Sequence, residues 1–294
     1  MKQKYFLLLF IFTTNFLFSQ VSNFKFRNIN ISDGLSNNNV VSIVQDKLGQ
    51  MWFATNNGLN KYNGKEFTVY RNIPGNNNSI SSSETINILS DRDGYIWIGT
   101  FNGLNRYDPK TDTFKRFYKR QTVKYSLSHS LIKCSLDIPD GNIWFGTENG
   151  VSIYEKKKDR FIKFLQRNPK YGYRSINNMI IDHKKNVWLA TNEGIVNIDR
   201  SKKFKIKEYS FTAKKTNFIV NNLFEISPGI IGIASRHHGF LYFNTTTQEF
   251  SRPKGIEIPV NVDVRDIEID DDKNIWLATT SGLYIITPTK ETIY

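Results

Sequence analysis

The 294-residue sequence holds one cysteine, three methionines and four histidines. A single thiol excludes an intrachain disulfide, so stability has to come from burial. Cys134 lies in the alternating run Leu131-Ile132-Lys133-Cys134-Ser135-Leu136, which reads as a packed core thiol. None of His129, His183, His237 and His238 stands in a metal-ligand spacing such as His-Glu-x-x-His. The adjacent His237 and His238 would point to opposite sides of an extended chain. There is no Gly-rich phosphate loop and no Gly-x-Ser-x-Gly elbow. We therefore expect no metal, no cofactor and no enzyme. Nowhere is a 3.6-residue apolar period sustained over three turns, which excludes helical repeats.

Long apolar runs are also missing beyond the first twenty residues. Lys2 and Lys4 precede an apolar run from Tyr5 to Phe18 and then Ser19-Gln20, the order of a secretory signal peptide. Thr13, Thr14 and Asn15 interrupt the run, which is shorter than the roughly 20 residues of a bilayer span. The expectation is a signal peptide over 1–20, cleaved near Gln20, a periplasmic or secreted mature chain over 21–294, and no membrane span after cleavage. No Cys follows the run to carry a lipid. Basic residues outnumber acidic ones 40 to 27, and without Lys2 and Lys4 the excess persists. Such a surface favours polyanions. For an exported chain these are acidic polysaccharides, lipid headgroups or cell-surface polymers, and nucleic acid is not expected. Scattered Lys and Arg also serve solubility alone.

What is present is a repeat. Trp52, Trp97, Trp144, Trp188 and Trp276 are 45, 47, 44 and 88 residues apart, the last interval being two periods. Met51-Trp52-Phe53-Ala54-Thr55-Asn56-Asn57-Gly58-Leu59 has counterparts around each Trp, and a drifted copy, Ile231-Gly232-Ile233-Ala234-Ser235-Arg236-His237-His238-Gly239, falls where the period predicts. Each copy reads as four strands: an alternating segment such as Val40 to Asp46, a Gly/Asn/Lys turn, the Trp strand, a tight turn before Gly, a third strand such as Leu59-Asn60-Lys61-Tyr62, and a fourth such as Phe67-Thr68-Val69-Tyr70. Four-stranded units that cannot bury both faces alone stack radially. The fold class expected is all-β, a β-propeller of six four-stranded blades at about 35–72, 80–120, 126–166, 174–211, 218–253 and 262–294, with the Trp residues as core between blades.

The pattern Asp-x-x-Gly-x-[Ile/Met]-Trp-[Ile/Phe]-[Gly/Ala]-Thr-x-Asn-Gly-Leu-Asn-[Lys/Arg]-Tyr, matched best by Asp46, Gly49, Trp52, Thr55, Gly58, Leu59, Tyr62, Phe67 and Tyr70, resembles the two-component regulator propeller repeat. Ile31-Ser32-Asp33-Gly34-Leu35-Ser36 resembles the usual start of such proteins. The resemblance implies a sensor propeller, first part of a longer hybrid histidine kinase whose further blades, β-sandwich, membrane helix and kinase are not in this sequence. The last copy reaches only the start of its fourth strand at Ile293, and Phe24-Lys25-Phe26 reads as an orphan strand over 23–28. Two readings stay open: closure of the ring by this N-terminal strand, or a truncated part of a larger propeller.

In a propeller the turn between the second and third strands shares a rim with the connections between blades. Candidate ligand-binding residues on it are Asn56, Asn57, Phe101, Asn102, Glu148, Asn149, Asn192, Glu193, Arg236, His237 and His238, joined by Tyr171, Tyr173 and Arg174 in a long connection. Arg offers a fork for carboxylate or sulfate, and aromatic rings beside cations suit sugar faces. The reading is a ligand-sensing propeller for an oligosaccharide or other small ligand, with an acidic one favoured by the charge. The alternatives are a scaffold for a protein partner, including a missing kinase-bearing chain, and a polysaccharide lyase or hydrolase with a cross-blade site, which no local motif would announce.

Overall fold

A computed structural model describes residues 25–165, 175–202, 204–211, 218–254, 258, 262–289 and 292–293. Blade one is an antiparallel sheet of the strands Val40–Gln45, Met51–Thr55, Gly58–Tyr62 and Phe67–Tyr70, in chain order. Five more sheets repeat this order. Their first strands are Thr85–Ser90, Ile132–Asp137, Ile176–Ile181, Val220–Ser227 and Val264–Ile269, and from blade two to blade six each first strand packs on that of the blade before it. The fold is a six-bladed β-propeller, as the repeat predicts.

The repeated residues lock each blade. Asp46 accepts the indole N–H of Trp52 at 2.8 Å on one oxygen and the backbone N–H groups of Leu48 and Gln50 on the other. One carboxylate thus closes the first hairpin turn and satisfies a buried donor that would cost about 1–3 kcal/mol unpaired. Asp91 with Trp97, Asp182 with Trp188 and Asp270 with Trp276 repeat the bond. At the second turn the Thr55 hydroxyl donates to Gly58 O, as Thr100 does to Gly103. Gly103 sits at φ +106°, where a Cβ would stand 2.6 Å from Phe117 O. Only glycine fits there.

Burial between blades provides the cohesion. Trp52, Ala54 and Leu59 of blade one pack on Ile88, Ile98, Tyr107 and Phe114 of blade two. Equivalent cores lie between blades two and three, three and four, four and five, and five and six. Trp52, Trp97, Trp144 and Trp188 are each at most 3% exposed and sit in these cores, as expected, whereas Trp276 of blade six is half-buried and lies in none of them. Cys134 is buried in the core between blades three and four. Burial pushes its thiol up to about 12, so it stays protonated at neutral pH and is no nucleophile.

The N-terminal strand departs from expectation. Lys25–Asn30 form no strand, residues 23 and 24 lie outside the described residues, and blade six takes its fourth strand from Thr292–Ile293 instead. An exposed Lys25 and Phe26 pair with no ladder, so the closing clasp is not formed by that segment. Nor does the first strand of blade six contact that of blade one as the others contact their neighbours.

Candidate functional site

Each first strand carries one extra residue near its start. Val40 pairs with Thr55 and Ser42 with Ala54, leaving Val41 unpaired. The same slip leaves Ile86, Lys133, Asn177, Asn221 and Arg265 at the bulges of blades two to six. A β-bulge re-aims its side chain out of the ladder. Here the effect is to turn Lys133, Asn177, Asn221 and Arg265 into one cavity of about 390 Å³, which Asn192 and Arg236 also line.

The arrangement is a polar mouth shared by blades three to six. The Lys133 ammonium donates to Ser175 Oγ at 2.8 Å and Asn177 Oδ1 at 2.7 Å, and pairs with Glu148 at 3.1 Å. Asn177 in turn donates to Asn192 Oδ1 at 2.9 Å and to Val220 O of the next blade at 2.8 Å. Asn221 repeats that step, donating to Val264 O at 2.7 Å. These bonds tie neighbouring blades together and hold the amides in place. The Arg236 backbone N–H donates to Ile219 O, whereas its side-chain Nε is buried without a partner. An unpaired buried N–H of a charged group is costly, and an anion seated in the mouth would relieve it. Arg265 and His237 both approach Asp263, at 3.4 and 3.6 Å.

The structure sorts the residues expected on this rim. Arg236 and Asn192 line the mouth, and Glu148 reaches it through Lys133. His237 is exposed beside Asp263. His238 is turned away, its ring packed edge-on against Phe211 and Phe218 at 5.5 and 5.6 Å. Asn149 and Glu193 use their backbone N–H groups to close the turn onto Thr147 and Thr191. Asn56, Asn57, Phe101 and Asn102 stand on blades one and two, and none of them lines this cavity. Tyr171, Tyr173 and Arg174 lie outside the described residues.

Four of the six residues named in the mouth were not foreseen. Lys133, Asn177, Asn221 and Arg265 sit in strands, where strict alternation would have placed them elsewhere. For three of them the signal is a broken alternation: Ile176-Asn177-Asn178-Met179, Val220-Asn221-Asn222-Leu223 and Val264-Arg265-Asp266-Ile267 each set two polar residues between apolar ones, whereas Lys133 sits in the unbroken run Ile132-Lys133-Cys134-Ser135-Leu136.

Comparison with known proteins follows the repeat. The family model for the two-component regulator propeller matches residues 34–57 and 77–102. Histidine kinase P4 of Formosa agariphila is 47% identical over 73 residues, which are 25% of this chain and 5% of that protein. Among solved structures, the extracellular domain assigned to a hybrid two-component system of B. thetaiotaomicron superposes with a TM-score of 0.77 at 22% identity, covering 91% of this chain and 36% of that one. Virginiamycin B lyase from Staphylococcus aureus superposes with a TM-score of 0.67 at 17% identity, covering 87% and 83%. Identities this low speak to the fold, and one of the two is a lyase, so the fold leaves catalysis undecided. The chain spans 5% of the histidine kinase and 36% of the extracellular domain, and it is a six-bladed β-propeller whose residues 34–57 and 77–102 are two-component regulator propeller repeats.

Proposed function

We propose that the chain is the periplasmic or extracellular ligand-binding propeller of a two-component regulatory system, and that its mouth takes an oligosaccharide bearing carboxylate or sulfate groups. The observation that carries this reading is the convergence of Lys133, Arg236 and Arg265 from three blades, with three asparagines between them, on one cavity. The cations suit acidic substituents, and the amides suit sugar hydroxyls, accepting and donating at once. Arg236 offers its fork with Nε still unpaired. The signal-like N-terminus and the likeness to an extracellular domain support an exported location. The kinase function lies in another part of such systems, and this chain contributes recognition.

The test is an array of neutral and acidic oligosaccharides probed with the chain, followed by calorimetry on the best binder. Acidic oligosaccharides should bind, and Arg236→Gln should weaken them about tenfold or more, as expected for losing one charged contact. Asn56→Ala, on the far side of the rim, should leave affinity unchanged. Retention of full affinity by Arg236→Gln would remove the mouth as the site. Cleavage of the bound sugar would favour the lyase or hydrolase reading over pure recognition.

A further inference from the structure

At the rim opposite the mouth, four positions meet between consecutive blades. Between blades one and two they are Lys61, Tyr70, Tyr107 and Asp112. The Lys61 ammonium lies 5.6, 5.7 and 5.8 Å from the rings of Trp52, Tyr70 and Tyr107. Asp112 accepts from Tyr107 at 2.7 Å and from Tyr70 at 3.0 Å. Between blades two and three, Arg106 lies 5.6 Å from the Trp97 ring, and Asp159 accepts from Tyr154 at 2.5 Å. Between blades three and four the polar set gives way to apolar bulk: Phe204 packs 6.3 Å from Trp144 and 5.8 Å from Phe164. Each of these junctions is filled, by ions or by rings.

The junction of blades four and five is not. Asn197 stands opposite Trp188 where the others have Lys61, Arg106 or Ile153. Phe243 replaces the tyrosine, and Gln248 replaces the acid at the same left-handed turn position. With these replacements the junction holds a cavity of about 310 Å³ walled by Trp188 and Tyr209, which stack at 6.0 Å. Asn197 lines it, is 8% exposed, and keeps a buried Nδ2 with no hydrogen-bond partner. Lys184, Lys205 and Lys207 also line it and have no carboxylate partner among the described residues. The Asp182 carboxylate is occupied by Trp188 and Asn186, and that of Asp199 by Ser201 and Lys202.

We propose that this cavity is a second binding site, for a small organic anion of monosaccharide size carrying a carboxylate or a sulfate. The lysines meet the anionic group, and the unpaired Asn197 amide donates to a ring oxygen or hydroxyl. A buried amide N–H without an acceptor is unfavourable, and a polar ligand supplies the acceptor that the neighbouring blades replace with their own side chains. None of these residues lines the mouth, and the two sites are independent of each other.

Calorimetric titration of the full chain at low ionic strength with glucuronate, glucose 6-sulfate and glucose tests it. Glucuronate or the sulfate should bind saturably and glucose should not. The double variant Lys205→Gln/Lys207→Gln, altered only on the surface, should lower affinity at least tenfold without moving the melting temperature. Asn197→Leu, which removes the amide donor at nearly the same size, should abolish binding. Should that variant fail to fold, the lysine pair decides. Arg236→Gln should leave this affinity unchanged. Absence of saturable binding by both anions overturns the proposal, as does binding that the lysine pair leaves intact or that Arg236→Gln removes.

Discussion

Blades one and two carry nearly the same sequence on the face turned toward the preceding blade, yet they bury it differently. In blade two, Ile88, Ile98, Tyr107 and Phe114 are at most 6% exposed, because Trp52, Ala54 and Leu59 of blade one cover them. In blade one the matching residues are Ile43, Phe53, Tyr62 and Phe67. Ile43 is 55% exposed and the three rings are half-buried, packing on one another at 4.6 and 5.9 Å. The outgoing face of blade six mirrors this, with Ala278 and Leu283 exposed. A repeat residue becomes core only through its neighbour, which is the nearest-neighbour logic of repeat architectures. The value of a side chain is set by its junction and not by its place in the motif.

The largest test of that comparison is a pair of matched substitutions. Ile88→Ala should destabilise by about 2–5 kcal/mol through lost burial and a cavity. Ile43→Ala should cost under about 1 kcal/mol, since water already reaches it. Urea unfolding of both variants reads the difference. Equal losses would mean that blade one is covered in solution.

The hydrogen-bonded lock gives a smaller contrast. Asp91→Ala strands the Trp97 indole N–H, which is buried with its ring at 1% exposure, and strips the turn amides of Asp93 and Tyr95. A loss of about 1–3 kcal/mol follows. Asp270→Ala breaks the same bond in blade six, where Trp276 is only half-buried and water can replace the lost acceptor. The melting temperature should fall less. If the two variants melt alike, the environment of the indole is not what gives the bond its worth.

Most of the fold was legible because its signals are local. The Trp spacing, the Asp six residues before four of the five Trp residues (Ile138 stands there before Trp144) and the Gly after each turn act within one blade, a few residues from their partners. The mouth was partly hidden. Arg236 stood out because its turn broke the repeat, but Lys133, Asn177, Asn221 and Arg265 differ chemically from one another and act only across blades. A bulge adds one residue to a strand, so counting alternation from either end puts these side chains on the wrong face. His238 failed for the opposite reason: a histidine in an exposed-looking turn found aromatic partners, Phe211 and Phe218, in a connection that no periodicity locates. The N-terminal Phe-Lys-Phe read as a strand from composition alone, with no partner strand to specify it.

The smallest expected effect separates a junction closed by ions from one closed by rings. Lys115 beside Asp159, together with the Tyr154 hydroxyl, holds that carboxyl below the usual aspartate range, while burial works the other way. Because the native value lies below the unfolded value of 3.8, the stabilisation is complete above about pH 4 and is lost as pH falls through the native value. Both side chains are about half exposed, at 46% and 56%, so solvent screening limits the gain to roughly 0.5 kcal/mol or less. Asp159→Asn keeps a residue that tolerates the left-handed turn at φ +46° and removes the charge. Its melting temperature should lie slightly below that of the parent at pH 7, with the gap closing below pH 4 and shrinking in high salt. The matching position between blades three and four is Phe204, which carries no charge, so Phe204→Leu should show a gap independent of pH. A pH-independent gap for Asp159→Asn as well would assign the second junction to packing alone.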